Sequence, residues 1–240
     1  MFIPKNISRK ASDHVQSKYS PIVLPRNKKY GNNCWDARGP KVGLRDIVLY
    51  SDLEFDHWLT VESDPNVLTY CEQPLEITFA INGKLHSSIF DMWILYKNGT
   101  EIFIEVKYEA ELLSEHKKYE RTKRQIESQQ LWCKEHGYLH ETRTEKSIRA
   151  GKYKIENMLK MITNITNLHP PNSMSVIKEC ITGRTQLSEV CKKLSGSIEP
   201  HDVLLAVQWL CYEGTISANL NGHVWGYEME VWENEQNPIA

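Results

Sequence analysis

The chain of 240 residues contains no apolar run approaching the roughly 20 residues that a membrane-spanning helix needs, which excludes that class of protein. It has no Cys-x-x-Cys pair. Its six cysteines (34, 71, 133, 180, 191 and 211) stand mostly among apolar neighbours, which excludes a zinc-ribbon spacing and points to reduced core thiols rather than a disulfide frame. Internal repeats and long low-complexity tracts are also missing. Residues 1–33 are polar and basic without an apolar centre, so they do not read as a secretory signal. A strong charge excess is absent too: the formal net charge is −2, which argues against a basic nucleic-acid coat protein. What remains is an ordinary globular composition, 40% hydrophobic and 25% charged, long enough for one large domain or two small ones. The expected location is cytoplasmic.

The charge is unevenly distributed. Residues 1–50 hold ten Lys and Arg against three Asp, and a second basic cluster comprises Lys117, Lys118, Arg121, Lys123 and Arg124. Either could meet phosphates; equally, they could be a solvated tail and a solvated helix face. Pro4, Pro21, Pro25, Gly31, Gly39 and Pro40 make residues 1–40 an extended or irregular basic extension. Phe55, Trp58 and Leu59 recur at helical spacing after Ser51, and Asp64-Pro65-Asn66 stops that helix. Residues 75–81, the turn Asn82-Gly83 and a strand over 88–96 read as a hairpin. Lys97-Asn98-Gly99 then turns the chain into Ile102–Tyr108, a long charged helix covers 113–135, and 138–143 forms a further strand. Beyond Pro170-Pro171, three short amphipathic segments precede a strand–turn–strand with Asn221-Gly222 at its bend, the order of a winged helix. The expected division is therefore 1–40, 41–168 and 169–240.

The chemistry concentrates in IFIEVKY. Side chains alternate along a strand, so Glu105 and Lys107 share one face of an otherwise apolar segment. Asp91 sits on the upstream strand among Phe90, Met92, Ile94 and Leu95. Charges in apolar strands are costly unless paired, and a divalent cation of a nuclease site offsets that cost. Register decides whether the carboxylates meet. A three-residue loop pairs Tyr96 with Thr100 and sets Asp91 opposite Glu105, whereas a two-residue loop sends Asp91 to the other face. Gly99 suits the left-handed position of the three-residue loop, which is the register expected here.

Other residues carry two readings. Ser51-x-x-Glu54 fits a capping box, in which the glutamate closes a helix start. Glu105 and Lys107 also fit an exposed strand with an ordinary ion pair. His86 reads as a hydrogen-bonded structural histidine, with phosphate contact as the alternative. Gln73 reads as a buried hydrogen-bonding residue.

The succession SDLEFDHWLTVESDPNVLTYCEQPLEI, an aspartate in FDMWI and then FIEVKY resembles the TnsA family of heteromeric transposase endonuclease subunits, over about residues 44–165. The resemblance implies an α/β, restriction-endonuclease-like fold, a mixed sheet flanked by helices, followed by a winged-helix domain. It implies Glu54, Asp91, Glu105 and Lys107 as catalytic residues, with Glu54, Asp91, Glu105 and the carbonyl of Val106 holding two Mg2+ ions, for which Mn2+ would substitute. It further implies hydrolysis of the 5′ strands at transposon ends, so transposon-end DNA as substrate. The implied partners are an RNase H-like transposase, TnsB, and an AAA+ regulator, TnsC, with association with the bacterial nucleoid and no membrane partner. Phe90 stands where the family pattern has proline. Two rivals stay open: a stand-alone restriction or repair nuclease of the same fold, which would cut DNA alone, and a non-enzymatic DNA-binding adaptor, which would tolerate loss of Asp91 and Glu105.

Overall fold

The computed structural model of the chain describes residues 17–24, 33–81 and 83–234. Its centre is a four-stranded mixed sheet in the order β3-β6-β7-β8: β3 (Val67–Glu72), β6 (Met92–Tyr96), β7 (Glu101–Lys107) and β8 (Leu139–Thr144). The first three run antiparallel, and β8 joins β7 in parallel after a helical crossover, α2 (Tyr119–His136). Alternation of side chains gives this sheet two buried faces. Tyr70, Ile94, Ile104 and Val106 face α1 (Asp52–Ser63) and α4 (Lys154–Asn167), while Cys71, Trp93 and Phe103 face α2. The result is a mixed sheet flanked by helices, as the family resemblance implies.

The tight loop between β6 and β7 is the predicted one. Tyr96 N–H donates to Thr100 O at 2.9 Å, and Gly99 takes φ +83°, a left-handed geometry that costs a glycine little. Met92 consequently pairs with Ile104 and Leu95 with Glu101, which places Asp91 across from Glu105.

Several expectations need correction. The strand expected over 88–96 is two strands. β4 (Glu76–Ile81) and β5 (Lys84–Ile89) form a separate two-stranded ribbon, and the chain breaks at Phe90–Asp91 before entering the central sheet as β6. Phe90 explains the break: it is fully buried against Phe103 (4.6 Å between ring centres) and Trp132, so it anchors the crossing between the ribbon and the sheet. The region expected to be irregular contains β1 (Trp35–Gly39), paired with β2 (Arg45–Leu49). Residues 1–16 and 25–32 of the basic extension, and Asn82 of the ribbon turn, lie outside the described residues. The long helix starts at Tyr119 rather than 113, because Glu109–Leu112 forms a short 3-10 turn and Lys118 is paired with Glu111. Cys34 is exposed rather than part of the core.

After α4 come α5 (Met174–Glu179), β9 (Thr185–Gln186), α6 (Leu187–Lys193), α7 (Pro200–Glu213), β10 (Ile216–Ala218) and β11 (Glu230–Glu233). The three strands form an antiparallel sheet in the order β10-β11-β9. α3 (Glu145–Ile148) is a single turn after β8. This part shares one continuous apolar core with α1 and α4. Besides Asn157 and Asn164 of α4, which bond Leu220, His223, Trp225 and Gln208, one polar tie is Glu62, at the last turn of α1 and fully buried. One carboxylate oxygen accepts from Tyr70 Oη at 2.6 Å, while the other accepts from Tyr212 Oη of α7 at 2.7 Å and Lys41 N–H at 3.0 Å. Trp58 Nε1 completes the cluster by donating to Tyr70 Oη at 2.7 Å. Burial pushes the Glu62 carboxyl up, although these donors oppose the shift.

Glu62→Ala is therefore expected to destabilise the chain by about 3 kcal/mol or more, since it strands buried donors that each cost about 1–3 kcal/mol unpaired. Glu62→Gln, which retains an acceptor, should lose less. Urea unfolding monitored by tryptophan fluorescence measures both, and equal midpoints for wild type and Glu62→Ala would refute the assignment.

Candidate active site

Asp91 occupies the break between β5 and β6, where the backbone holds it on three sides. Its N–H donates to Ile104 O at 3.1 Å, its carbonyl accepts from Gln73 N–H at 3.0 Å, and its Oδ2 accepts from Val106 N–H at 2.7 Å. Glu105, on the facing strand, is fully buried. Lys107, two residues on and so on the same face, places its Nζ on Glu105 Oε1. The ammonium of Lys107 is pulled down by burial, but Glu105 and Asp91 outweigh that and raise it above the ordinary lysine value. It stays protonated at any physiological pH.

Glu54 reaches the same place from α1. Its capping reading holds, and the same carboxylate lies beside the acid cluster. As a cap, it accepts from Tyr50 N–H at 3.1 Å and Ser51 Oγ at 2.9 Å, while Ser51 Oγ accepts from Glu54 N–H at 3.1 Å. As part of the acid cluster, it feels Lys107 and Glu105, and burial raises its carboxyl against the pull of its hydrogen bonds. Gln73 bridges the two acids: its side chain donates to Glu54 Oε2 at 3.3 Å while its backbone holds Asp91. It is buried at φ +38°, a left-handed conformation uncommon for a residue with a side chain. Its reading as a buried hydrogen-bonding residue stands.

The side chains that grip Glu105 were not legible in the sequence. Gln125 Nε2 donates to Oε1 and Gln129 Nε2 to Oε2, each at 2.7 Å, and both amides also donate to Ser88 Oγ. Gln129 is fully buried, and its Oε1 contacts His140 Nε2 at 3.1 Å. Burial lowers the His140 imidazole to about 4, so it is neutral and supplies an N–H to that amide oxygen. The available signal was the four-residue spacing of two glutamines on one face of a charged helix, which also fits plain solvation. His86, expected to be a hydrogen-bonded structural residue, is instead exposed and stacked on Phe79, 6.0 Å between ring centres.

Three carboxylates thus surround one ammonium. Burial and the facing Glu105 carboxylate hold Asp91 well above the usual carboxylate range, with Lys107 opposing. Among the described residues, no three His, Cys, Asp or Glu side chains converge closely enough to grip a metal ion as they stand. The donor chemistry nevertheless fits a hard divalent cation: the donors are oxygens, and the cluster carries more potential negative charge than Lys107 alone balances.

Residues 64–145 match the family model described as TnsA-like endonuclease N terminal. The match spans β3 to β8 and so includes Asp91, Glu105 and Lys107; Glu54 and the chain beyond residue 145 lie outside it. No curated protein matches the chain.

The crowding makes a stability prediction. A folded-state pKa raised above the usual carboxylate value means that ionised Asp91 opposes folding at neutral pH. Asp91→Asn keeps an oxygen for Val106 N–H and removes the charge, so it should raise Tm by a few degrees at pH 7 without divalent ions. The gain should shrink as pH falls through the ordinary aspartate value of about 3.9, below which Asp91 is protonated in both states. Thermal melts across that range test it; an unchanged or lowered Tm at pH 7 would contradict the electrostatic account.

Proposed function

With a TnsA-like endonuclease domain as the premise, we propose that this chain is the nuclease subunit of a heteromeric transposase, hydrolysing the 5′ strands at transposon ends. The observation that carries the reading is the meeting of Asp91, Glu105 and Lys107 on one face of the hairpin, with Glu54 brought in by α1. Mg2+, or Mn2+ in its place, held by Glu54, Asp91, Glu105 and the Val106 carbonyl, would supply an activated water and neutralise charge at phosphorus.

The chain's own residues divide the remaining work. Lys107, protonated and on the same face as Glu105, is suited to orienting the attacking water or to pairing with the phosphate as charge develops. Gln125 and Gln129 hold both oxygens of Glu105, so that carboxylate keeps one orientation when Lys107 turns to substrate. Gln73 keeps Glu54 and Asp91 in a fixed relation.

The C-terminal three helices and three-stranded sheet, over residues 174–233, fit the winged-helix plan. The helix that would enter a DNA groove, α7, has no Lys or Arg and commits Val203, Ala206, Val207 and Leu210 to the core. This part is therefore assigned to protein docking, with the RNase H-like transposase TnsB or the AAA+ regulator TnsC as occupant.

In a reconstituted reaction with magnesium, Asp91→Ala or Glu105→Ala should abolish 5′-strand cleavage with partner binding retained, and Lys107→Ala should be severely impaired. Cutting by the Asp91 variant at wild-type rate would sink the assignment. If the transposase still processes the 3′ ends, products of the dead variants should be cointegrates joining donor and target; an excess of simple insertions would contradict the division of labour. For docking, Tyr227→Glu, on an exposed apolar patch beside Leu204, should weaken binding to purified TnsB or TnsC and leave DNA affinity unchanged. Lost DNA binding with intact partner binding would reverse that assignment.

A further inference from the structure

A groove of about 500 Å³ runs between the N-terminal half of α2 and the β4–β5 ribbon, lined by Phe79, His86, Ser88, Arg121, Arg124 and Gln125. Two of these residues connect it to the acid cluster: Gln125 and Ser88 also belong to the hydrogen-bond network on Glu105. The groove therefore opens directly beside that carboxylate.

Its charge is distinctive. Among the described residues the other arginines are committed to carboxylates: Arg38 to Asp46, Arg45 to Glu72, Arg143 to Glu141, Arg149 to Asp56 and Arg184 to Glu230. Arg121 and Arg124 are exposed and have no carboxylate partner among the described residues; Arg124 spends only its Nε, on Glu120 O at 2.9 Å. Among the described residues, the one carboxylate lining the groove is Glu76. Residues three apart on a helix are neighbours on its surface, so the two guanidinium forks present a local pair of cations to one side of the groove. The ribbon opposite offers the exposed His86 ring stacked on Phe79.

We propose that this groove seats the DNA strand flanking the phosphate to be cut, with Arg121 and Arg124 on its neighbouring phosphates. The proposal rests on the nuclease reading and adds to it where the strand lies and which residues position it. Guanidinium forks match phosphate oxygens, and strand phosphates succeed one another every 3.4 Å or so along the duplex axis, within reach of two arginines one helical turn apart. Arg121 and Arg124 act here as positioning residues, and neither touches the reacting atoms.

The test is binding of the full-length chain to a labelled DNA duplex, followed by anisotropy over a salt series in EDTA, so that cleavage plays no part. Arg121→Glu/Arg124→Glu should weaken binding by at least about tenfold, and the slope of log affinity against log salt should fall by about two. Arg121→Gln/Arg124→Gln should show the same slope change with a smaller loss, which guards against misfolding of the reversed variant. Lys152→Glu/Lys160→Glu, on an exposed surface elsewhere, serves as the control for net charge. Unchanged affinity and slope, an equal loss in the control, or no binding by the wild-type chain would each overturn the proposal. A chain that binds through these arginines but never cuts with magnesium and its partners would overturn the nuclease reading and leave the groove assignment standing.

Discussion

Everything at the acid cluster depends on one antiparallel register. A strand shifted by a single residue turns every side chain to its opposite face, so the pairing of Tyr96 with Thr100 decides whether Asp91 and Glu105 meet or are separated by the sheet. Gly99, in its left-handed conformation, sets that register from the end of the hairpin remote from the cluster. The cost appears where the carboxylates meet: burial and mutual repulsion lift Asp91 and Glu54, and Lys107 is the one ammonium among them. Such an arrangement trades stability for a concentrated negative potential, the usual exchange at sites that do chemistry.

Around this register the structure supplies restraint rather than more charge. Two glutamine amides fix Glu105 from the helix side, one of them held in turn by a neutral histidine of β8, and Gln73 fixes Asp91 and Glu54 from the strand side. Amides suit this task because they donate to a carboxylate without bringing a competing full charge. Phe90 serves the same end through packing: it pins the chain where it leaves the ribbon, so that the next residue, Asp91, enters the central sheet at a defined height.

The legibility of these features in the sequence followed their range. Turn chemistry at Gly99, alternation in IFIEVKY and the cap at Ser51 are local, and the hairpin register, the shared face of Glu105 and Lys107 and the start of α1 could be read from them. The split at Phe90–Asp91 was not readable, because an apolar run of this length continues equally well as one strand; only the competing partners, β4 on one side and β3 with β7 on the other, divide it. The Gln125 and Gln129 grip was hidden for a related reason. Polar residues on a charged helix are ordinarily solvated, and nothing local says that α2 lays this turn over β7. Composition also cannot say which charges of residues 1–50 are taken: among the described ones, Lys18 pairs with Glu101 and Lys41 lies over the Tyr212 ring.

The helix α1 carries one buried-side glutamate at each end. Glu54, in its first turn, belongs to the acid cluster, and Glu62, in its last, is bonded to Tyr212 of α7. Twelve residues of helix make a strut of about 18 Å, too short and too well packed to bend appreciably. A load applied to α7 that leaves the Tyr212–Glu62 bond intact is then shared between α4 and this strut, whose far end arrives at the carboxylate of Glu54. The strut thus joins the acid cluster to the Glu62 cluster, in parallel with α4, whose Asn157 and Asn164 also bond the C-terminal part.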